Sequence, residues 1–153
     1  MLSFKLKAFS ELSLQEFYAL AQLRQAVFVV EQNCPYLDLD GKDQLGHHLL
    51  GLDAQGELQA YARILPAASS YPEDASIGRV ISSAKIRGKG QGPALMQAAI
   101  SACQKLYPQT AIRISAQSHL VHFYARLGFQ STGKEYLEDD IPHTEMLLEF
   151  KTL

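Results

Sequence analysis

Three glycines fall within six residues of this chain, in the segment Arg87-Gly88-Lys89-Gly90-Gln91-Gly92. The preceding stretch, Ile77-Gly78-Arg79-Val80-Ile81, has the composition of a strand. Pro93 follows, and apolar residues recur after it at helical spacing, which predicts a helix. Glycines let backbone amides turn toward a ligand, and a helix start adds unsatisfied amides and a partial positive charge. The segment therefore predicts a binding site for an anionic phosphate.

The spacing of these glycines does not fit two common phosphate-binding loops. A Walker loop requires G-x-x-x-x-G-K-[ST], but Pro93 and Ala94 follow Gly92. A Rossmann loop requires G-x-G-x-x-G and an acidic residue further on, and the run from Gly88 to Gly92 is spaced differently. Taken alone, the glycines leave a turn without any ligand as an open alternative.

Size and charge narrow the class of protein. The chain has 153 residues, which predicts a single domain over residues 1–153. Its formal net charge of -2 lacks the basic footprint of a nucleic-acid binder. Cys34 and Cys103 are too few for a disulfide scaffold, and no apolar run suits a signal peptide or a membrane span. We therefore expect a cytoplasmic protein without a nucleic-acid or membrane partner; a homodimer stays possible.

Strands and helices are predicted in mixed order around one sheet. Ser13 and Glu16 have the spacing of a capping box, which predicts a helix from there to about Val29. Ser118 is expected to cap a later helix that ends at Gly128. The other predicted elements are a first strand within Met1–Lys7, a loop over 33–46, a hairpin with arms 48–53 and 57–65, strands at 77–81 and 111–116, and final strand residues at Phe129 and 144–150.

Two motifs together resemble the GNAT superfamily of acyl-CoA-dependent N-acetyltransferases. The first is Arg87-x-x-Gly90-x-Gly92, and the second is Phe123-Tyr124-Ala125-Arg126-Leu127-Gly128-Phe129, about thirty residues later. Two motifs in this order are more specific than either alone. The stretch from Val27 to Tyr36, with Asp38, Asp40 and Gly41 after it, resembles the small ElaA-type branch, as does Ile141-Pro142-His143. The resemblance thus covers most of the chain.

The resemblance implies an α+β fold, a single GNAT-like domain. Its mixed, mostly antiparallel sheet would be flanked by helices, and a splayed parallel strand pair would hold the acyl-CoA. It implies acetyl-CoA as co-substrate and direct acetyl transfer to a primary amine in a ternary complex. A non-catalytic acyl-CoA-binding module is the alternative. Tyr124 would be the general acid beside the sulfur. The implied cofactor-binding residues are Val80 and Ile81 for the pantetheine arm, and Arg87, Gly88, Lys89, Gly90, Gln91 and Gly92 for the pyrophosphate.

The general base is left open by the sequence. An amine must lose a proton before it attacks a thioester, and many relatives carry a glutamate for this on the strand before the glycine loop. Residues 77–81 contain no carboxylate. His48, His143, Glu31 or water remain candidates, and each of the three side chains could instead be structural.

The remaining charged residues suggest a cationic acceptor. Aspartates between Asp38 and Asp43 and the run Glu138-Asp139-Asp140 could attract a basic amine, or could be solvated loops. Arg63 and Arg79 lie in apolar strands, so we expect each to pair with a carboxylate, in the first instance a protein residue such as Glu31 or Asp38. No cluster of residues has the spacing of a metal site, and we expect no metal.

Overall fold

Seven strands form one sheet in the computed structural model, which describes residues 1–150. Their order across the sheet is β1-β2-β3-β4-β5-β7-β6, and every neighbouring pair is antiparallel except β4 and β5, which are parallel. The predicted end of the domain at residue 153 lies outside the described residues. The strands are β1 Ser3–Ala8, β2 His47–Leu52, β3 Leu58–Leu65, β4 Ala75–Ser82, β5 Ile112–Gln117, β6 Gln130–Glu138 and β7 Ile141–Leu148.

The first helix begins at the predicted capping box. Ser13 Oγ accepts a hydrogen bond from the Glu16 amide at 3.1 Å, and Glu16 Oε1 accepts one from the Ser13 amide at 2.9 Å. After helix α1, Leu14–Arg24, the chain continues as a π-helix over Gln25–Glu31. A π-helix of seven residues is unusual, and π-helical turns occur often at functional sites. The other helices are α2 Gly92–Leu106 and α3 Val121–Arg126.

Helices cover both faces of the sheet. Neighbouring residues of a strand point to opposite faces, so apolar side chains on both faces need to be covered. Leu49 packs into a core cluster with Leu95 and Met96 of α2. Leu50, the next residue, packs into a second cluster with Leu20 of α1. The structure therefore confirms the predicted mixed, mostly antiparallel sheet flanked by helices.

The parallel strands β4 and β5 separate soon after they meet. They pair only at Ala75 with Ile112 and at Ser76 with Arg113. On its other edge, β4 pairs with β3. Between Gly78 and Ile81, two residues of β4 are opposite one residue of β3, which makes a β-bulge. Arg79 in this bulge has a positive φ of 51°. A bulge bends and twists its strand. The predicted splayed parallel pair is confirmed, and a gap opens between the two strands.

One strand was missed, and one local prediction was wrong. Strand β6 was not predicted, because nearly all of its residues are polar or exposed and lack an alternating apolar pattern. Ser118 does not cap α3: its hydroxyl lies 2.8 Å from Thr144 Oγ1, and a 3₁₀ turn over Ser118–Leu120 precedes the helix. Gly128 does end the helix with a positive φ of 102°, as predicted.

Three arginines and three aspartates form a largely buried ion-pair network between the sheet, α1 and the loop before β2. Asp43 Oδ1 accepts from Arg24 Nη1 at 2.7 Å and from Arg63 Nη1 at 2.9 Å. Asp38 binds Arg24 and Arg79, each at 2.8 Å. The sixth member is Asp40, which binds Arg63 and Arg79.

This network decides two predictions about charge. Arg63 and Arg79 do pair with protein carboxylates, as predicted, with Asp40 and Asp43 as the partners of Arg63. The prediction that the loop from Asp38 to Asp43 attracts a cationic acceptor was wrong. Its aspartates neutralise arginines of the same fold and are not available to a substrate.

Asp43 shows how strongly the network depends on paired charge. Burial by itself raises the pKa of the Asp43 carboxyl, but hydrogen bonds and charges from Arg24 and Arg63 outweigh burial and hold the pKa below its ordinary value. A carboxyl with a lowered folded-state pKa stabilises the fold above its unfolded-state pKa, and this stabilisation is lost as the pH falls through the folded-state pKa.

We predict that Asp43→Asn lowers the free energy of unfolding by about 3–5 kcal/mol, because it removes one carboxylate that two buried guanidinium groups, Arg24 and Arg63, share. Urea denaturation at pH 7 measures this loss. Below about pH 4, where unfolded aspartates become protonated, wild type should lose stability more steeply than Asp43→Asn.

Glu57→Gln is the matched control, since it also replaces a carboxylate by an amide. Glu57 pairs with Lys85 at 3.7 Å on the surface, where both side chains are more than half exposed. Such pairs contribute little, so the control should unfold like wild type. An Asp43→Asn variant as stable as the control would contradict a stabilising role for the network.

Candidate active site

A cavity of about 470 Å³ occupies the gap between β4 and β5. The start of α2 and the π-helix border it, and so do α3 and the turn between β6 and β7. Its lining includes residues at 77–82 of β4, Ile114, Ser115 and Gln117 of β5, Phe28 of the π-helix, Arg87 and Gly92 of the glycine loop, Tyr124 of α3, and Glu138, Asp139 and His143. The separation of β4 from β5 thus creates a cavity that residues of several elements line.

The glycine loop presents backbone amides at the start of α2. Gly88 and Gly90 have positive φ angles of 81° and 77°, a conformation that side chains disfavour. Within residues 1–150 the amides of Gly88, Gly90, Gln91 and Gly92 donate to no backbone acceptor. The amides of Arg87 and Lys89 bond to Ser83 and Ile86 carbonyls within the turn. Four of the six predicted amides therefore have no backbone partner within residues 1–150.

The side chain of Arg87 is bound within the protein. It donates to both carboxylate oxygens of Glu31, at 2.9 and 3.1 Å, across the end of the π-helix. The hydrogen bonds from Arg87 lower the pKa of Glu31. The positive charge of Arg87 is thus shared with Glu31, a contact between residues far apart in sequence that no local pattern indicates.

Val80 and Ile81 line the cavity on β4. On its other edge, β4 is bonded to β3, where Ile81 is opposite Tyr61. Because pairing with β5 stops at Ser76, the cavity edge of β4 has no neighbouring strand from Ile77 onward within the described chain. An extended ligand could form strand-like hydrogen bonds there.

Tyr124 lines the cavity from the packed helix α3. The residue is 8% exposed, and edge-on contacts with the Phe123 and Phe129 rings, at centroid distances of 5.1 and 6.0 Å, fix its ring. Burial raises the pKa of Tyr124 to about 12. The phenol is therefore protonated at neutral pH and can donate a proton.

Of the three side chains considered as general base, His143 alone lines the cavity. His48 is fully buried, with its ring nitrogens 2.6 Å from Tyr61 Oη and 2.9 Å from the Asp43 carbonyl oxygen, and burial lowers its pKa. Glu31 is bound to Arg87. His48 and Glu31 thus have structural partners and do not border the gap.

Comparison with known proteins agrees with this geometry. The family model described as an acetyltransferase (GNAT) domain matches residues 10–150. The chain belongs to the GNAT acetyltransferase family.

Relatives of this GNAT chain include the protein ElaA of Escherichia coli K12, 47% identical over 142 residues that cover 92% of each chain. A crystal structure of an acyl-CoA N-acyltransferase from Pseudomonas aeruginosa superimposes with a TM-score of 0.91 at 44% identity, covering 97% of this chain and 100% of that one. The crystal structure of Escherichia coli ElaA gives a TM-score of 0.90, also at 44% identity, with the same coverage. The resemblance to the GNAT superfamily and its ElaA-like branch is confirmed.

GNAT enzymes use acyl-CoA and act on amine acceptors. The cavity of this GNAT chain is therefore a candidate site for these two kinds of ligand. Among residues 1–150, no three histidine, cysteine or acidic side chains are grouped so that they could hold a metal ion. No helix in the same range has the length and apolar character needed to cross a membrane.

Several lining residues of this GNAT domain were missed by the sequence reasoning. Ser115 and Gln117 alternate with the buried Ile114 and Ala116 on β5, and this period of two marks them as facing away from the core. Tyr36 also lines the cavity. The resemblance includes this residue but did not place it there, because its loop is positioned by contacts with Asp38 and Arg79 of the ion-pair network.

Proposed function

We propose that this protein is an N-acetyltransferase that moves the acetyl group of acetyl-CoA directly to a primary amine in a ternary complex. The observation that carries the proposal is the single cavity between β4 and β5. Its lining extends from the glycine loop at Gly92, along Val80 and Ile81, to Tyr124. An elongated ligand with a phosphate at one end and a reactive group at the other suits such a space.

The proposed position of acetyl-CoA follows from the available backbone groups. Its pyrophosphate would accept hydrogen bonds from the amides of Gly88, Gly90, Gln91 and Gly92, at the positive end of the α2 dipole. Lys89 supplies positive charge around it, while the charge of Arg87 is shared with Glu31. The pantetheine arm would pair with the open edge of β4 at Val80 and Ile81, so that the thioester lies in the gap.

Tyr124 is the proposed general acid. When the tetrahedral intermediate collapses, the coenzyme A thiolate leaves and needs a proton. The buried phenol of Tyr124, protonated at neutral pH, can donate it. Backbone amides on the open edge of β4 are suited to hold the negative oxygen of the intermediate.

The proposed acceptor carries a basic amine. Glu138 and Asp139 line the cavity, and neither forms an ion pair with an arginine or lysine in the described part of the chain. Their negative charge favours a cationic acceptor at this end of the gap. Mass spectrometry of products formed from acetyl-CoA and a panel of primary amines would identify the acceptor class.

We predict that Gly90→Glu weakens acetyl-CoA binding at least about tenfold, or about 1.4 kcal/mol. A carboxylate at this position would repel the pyrophosphate, although a Cβ at Gly90 meets no protein atom within 4 Å. Isothermal titration calorimetry measures the affinity.

Gly133→Glu is the control for Gly90→Glu. Gly133 in β6 also has a positive φ, 91°, and open space around a built Cβ, so it imposes the same backbone strain and charge away from the loop. Equal affinities for the two folded variants would argue against a pyrophosphate site at the glycine loop.

We predict that Tyr124→Phe retains acetyl-CoA affinity and lowers turnover by about 10²–10⁴-fold, the usual contribution of a general acid. Release of the coenzyme A thiol measures turnover under conditions where chemistry limits the rate. Tyr18→Phe on the exposed face of α1 should behave as wild type. Undiminished turnover in Tyr124→Phe would show that Tyr124 is only a packing residue.

The alternative function has its own test. If wild type binds acetyl-CoA but acetylates no amine, the protein is instead an acyl-CoA-binding module.

A further inference from the structure

Polar side chains share one face of the strands β5, β7 and β6 beside the cavity. His143 of β7 is paired with Gln117 of β5 on one side and with Tyr136 of β6 on the other. Residues directly opposite in a sheet point to the same face, as do residues two apart in one strand. Ser115 and Glu138 therefore lie on this face too. His143 thus belongs to the wall of the gap opposite β4.

The ring of His143 is held in a defined orientation. It stacks on Tyr136 with a centroid distance of 6.1 Å and an interplanar angle of 15°. Tyr136 is fixed in turn by a short hydrogen bond from its hydroxyl to Ser115 Oγ. The ring of a catalytic histidine requires such fixed placement.

The hydrogen bonds of His143 determine which nitrogen can accept a proton. Nδ1 lies 2.7 Å from the Ile141 carbonyl oxygen. A carbonyl oxygen only accepts, so Nδ1 carries the hydrogen in the neutral ring, and Nε2 carries the lone pair. Nε2 is 3.4 Å from Glu138 Oε2, and this carboxylate would stabilise the ring once Nε2 is protonated.

We infer that His143 is the general base, which takes a proton from the acceptor amine on Nε2, and that Glu138 is a positioning residue that stabilises the resulting imidazolium. This inference rests on the proposed acetyl transfer. It explains how β4 can lack a carboxylate: the base is on the opposite wall of the gap, formed by β7 and its turn with β6.

The proton balance of the step is complete. An ammonium group loses one proton to Nε2 of His143, and the neutral nitrogen attacks the thioester carbonyl carbon. The carbonyl electron pair moves to oxygen and then returns as the carbon–sulfur bond breaks. The thiolate receives the Tyr124 proton, and the second proton on nitrogen restores the phenol through water. The proton on His143 is released to solvent.

Charged and titratable groups surround His143 on several elements. Tyr136 and Glu138 face it from β6, and Asp139 follows in the turn, with Cys34 Sγ 4.0 Å from the Asp139 carbonyl oxygen. Glu145, two residues along β7, is bound to Arg113. Acidic groups therefore predominate nearest the ring.

The test uses His143→Asn, because the asparagine amide can still donate to the Ile141 carbonyl while the base is removed. Acetyl-CoA is used with two acceptor probes. Propylamine is almost fully protonated at pH 7, with only about one molecule in two thousand neutral. Hydroxylamine is largely unprotonated at this pH, so it does not need a base to the same extent. We expect kcat/KM for propylamine to fall by about 10²–10⁴-fold. Hydroxylamine should lose far less. The propylamine profile should lose its plateau at neutral pH, because kcat/KM of the variant should rise about tenfold per pH unit with the fraction of neutral amine.

Glu138→Gln is a second variant that should fold normally, since the Glu138 side chain is 53% exposed. Loss of this carboxylate makes protonated imidazole less favourable. We therefore expect the acidic limb of the propylamine profile to move to lower pH. His122→Gln on the exposed side of α3 is the control and should retain the wild-type profile.

The outcomes distinguish this inference from the proposed function. Calorimetry should give wild-type acetyl-CoA affinity for the folded variants. If wild type acetylates propylamine and His143→Asn does so at the same rate with the same pH profile, His143 is not the base, and the proposed function stands. An equal loss with propylamine and hydroxylamine would also overturn the role of His143 as base. If wild type acetylates neither probe nor any other amine, the proposed transfer itself fails.

Discussion

The ion pair between Asp38 and Arg79 supports the bulge in β4, the strand that forms one wall of the cavity. A positive φ at a residue other than glycine costs about 1–2 kcal/mol, and persists only where the surroundings hold it. Asp38 supplies this support: its carboxylate accepts from Arg79 Nε at 2.8 Å, and its backbone carbonyl from Nη2 at 3.1 Å. The Tyr36 ring covers the guanidinium at 5.4 Å. From Ile77 onward β4 no longer pairs with β5, so the bulge lies in the part of the strand that lines the cavity.

The same carboxylate joins the bulge to the rest of the network. Asp38 binds Arg24 as well as Arg79, and Asp43 binds Arg24 as well as Arg63, so α1, β3, β4 and the loop before β2 are connected through shared partners. Buried charges are costly unless every one is paired, which makes alternative arrangements of this loop unfavourable. An acidic loop that seemed suited to attract substrate is therefore part of the frame that shapes the cavity.

Local sequence signals predicted those parts of the fold that depend on hydrogen bonds and backbone angles of a few adjacent residues. The capping box at Ser13, the hairpin around Gly56 and the helix end at Gly128 each follow from the preferences of a few adjacent residues. Strand β6 could not be predicted, because it pairs only with β7 and has no buried face to impose an alternating pattern. The bulge at Arg79 and the pairing of Arg87 with Glu31 depend on contacts between distant segments, which no local window contains.

The two walls of the gap differ in chemical character, and the proposed binding of the cofactor and of the acceptor can be assigned to different walls on this basis. The β4 wall offers mainly backbone groups and apolar side chains, Val80 and Ile81, next to the amides of the glycine loop; such groups suit a ligand common to a whole family. The opposite wall carries Ser115, Gln117, Glu138 and His143 on three strands, one of them the polar edge strand β6. Side chains on an exposed edge can vary without disturbing the core. Under the proposed function, selection of the acceptor and removal of its proton would therefore belong on the β5-β7-β6 wall.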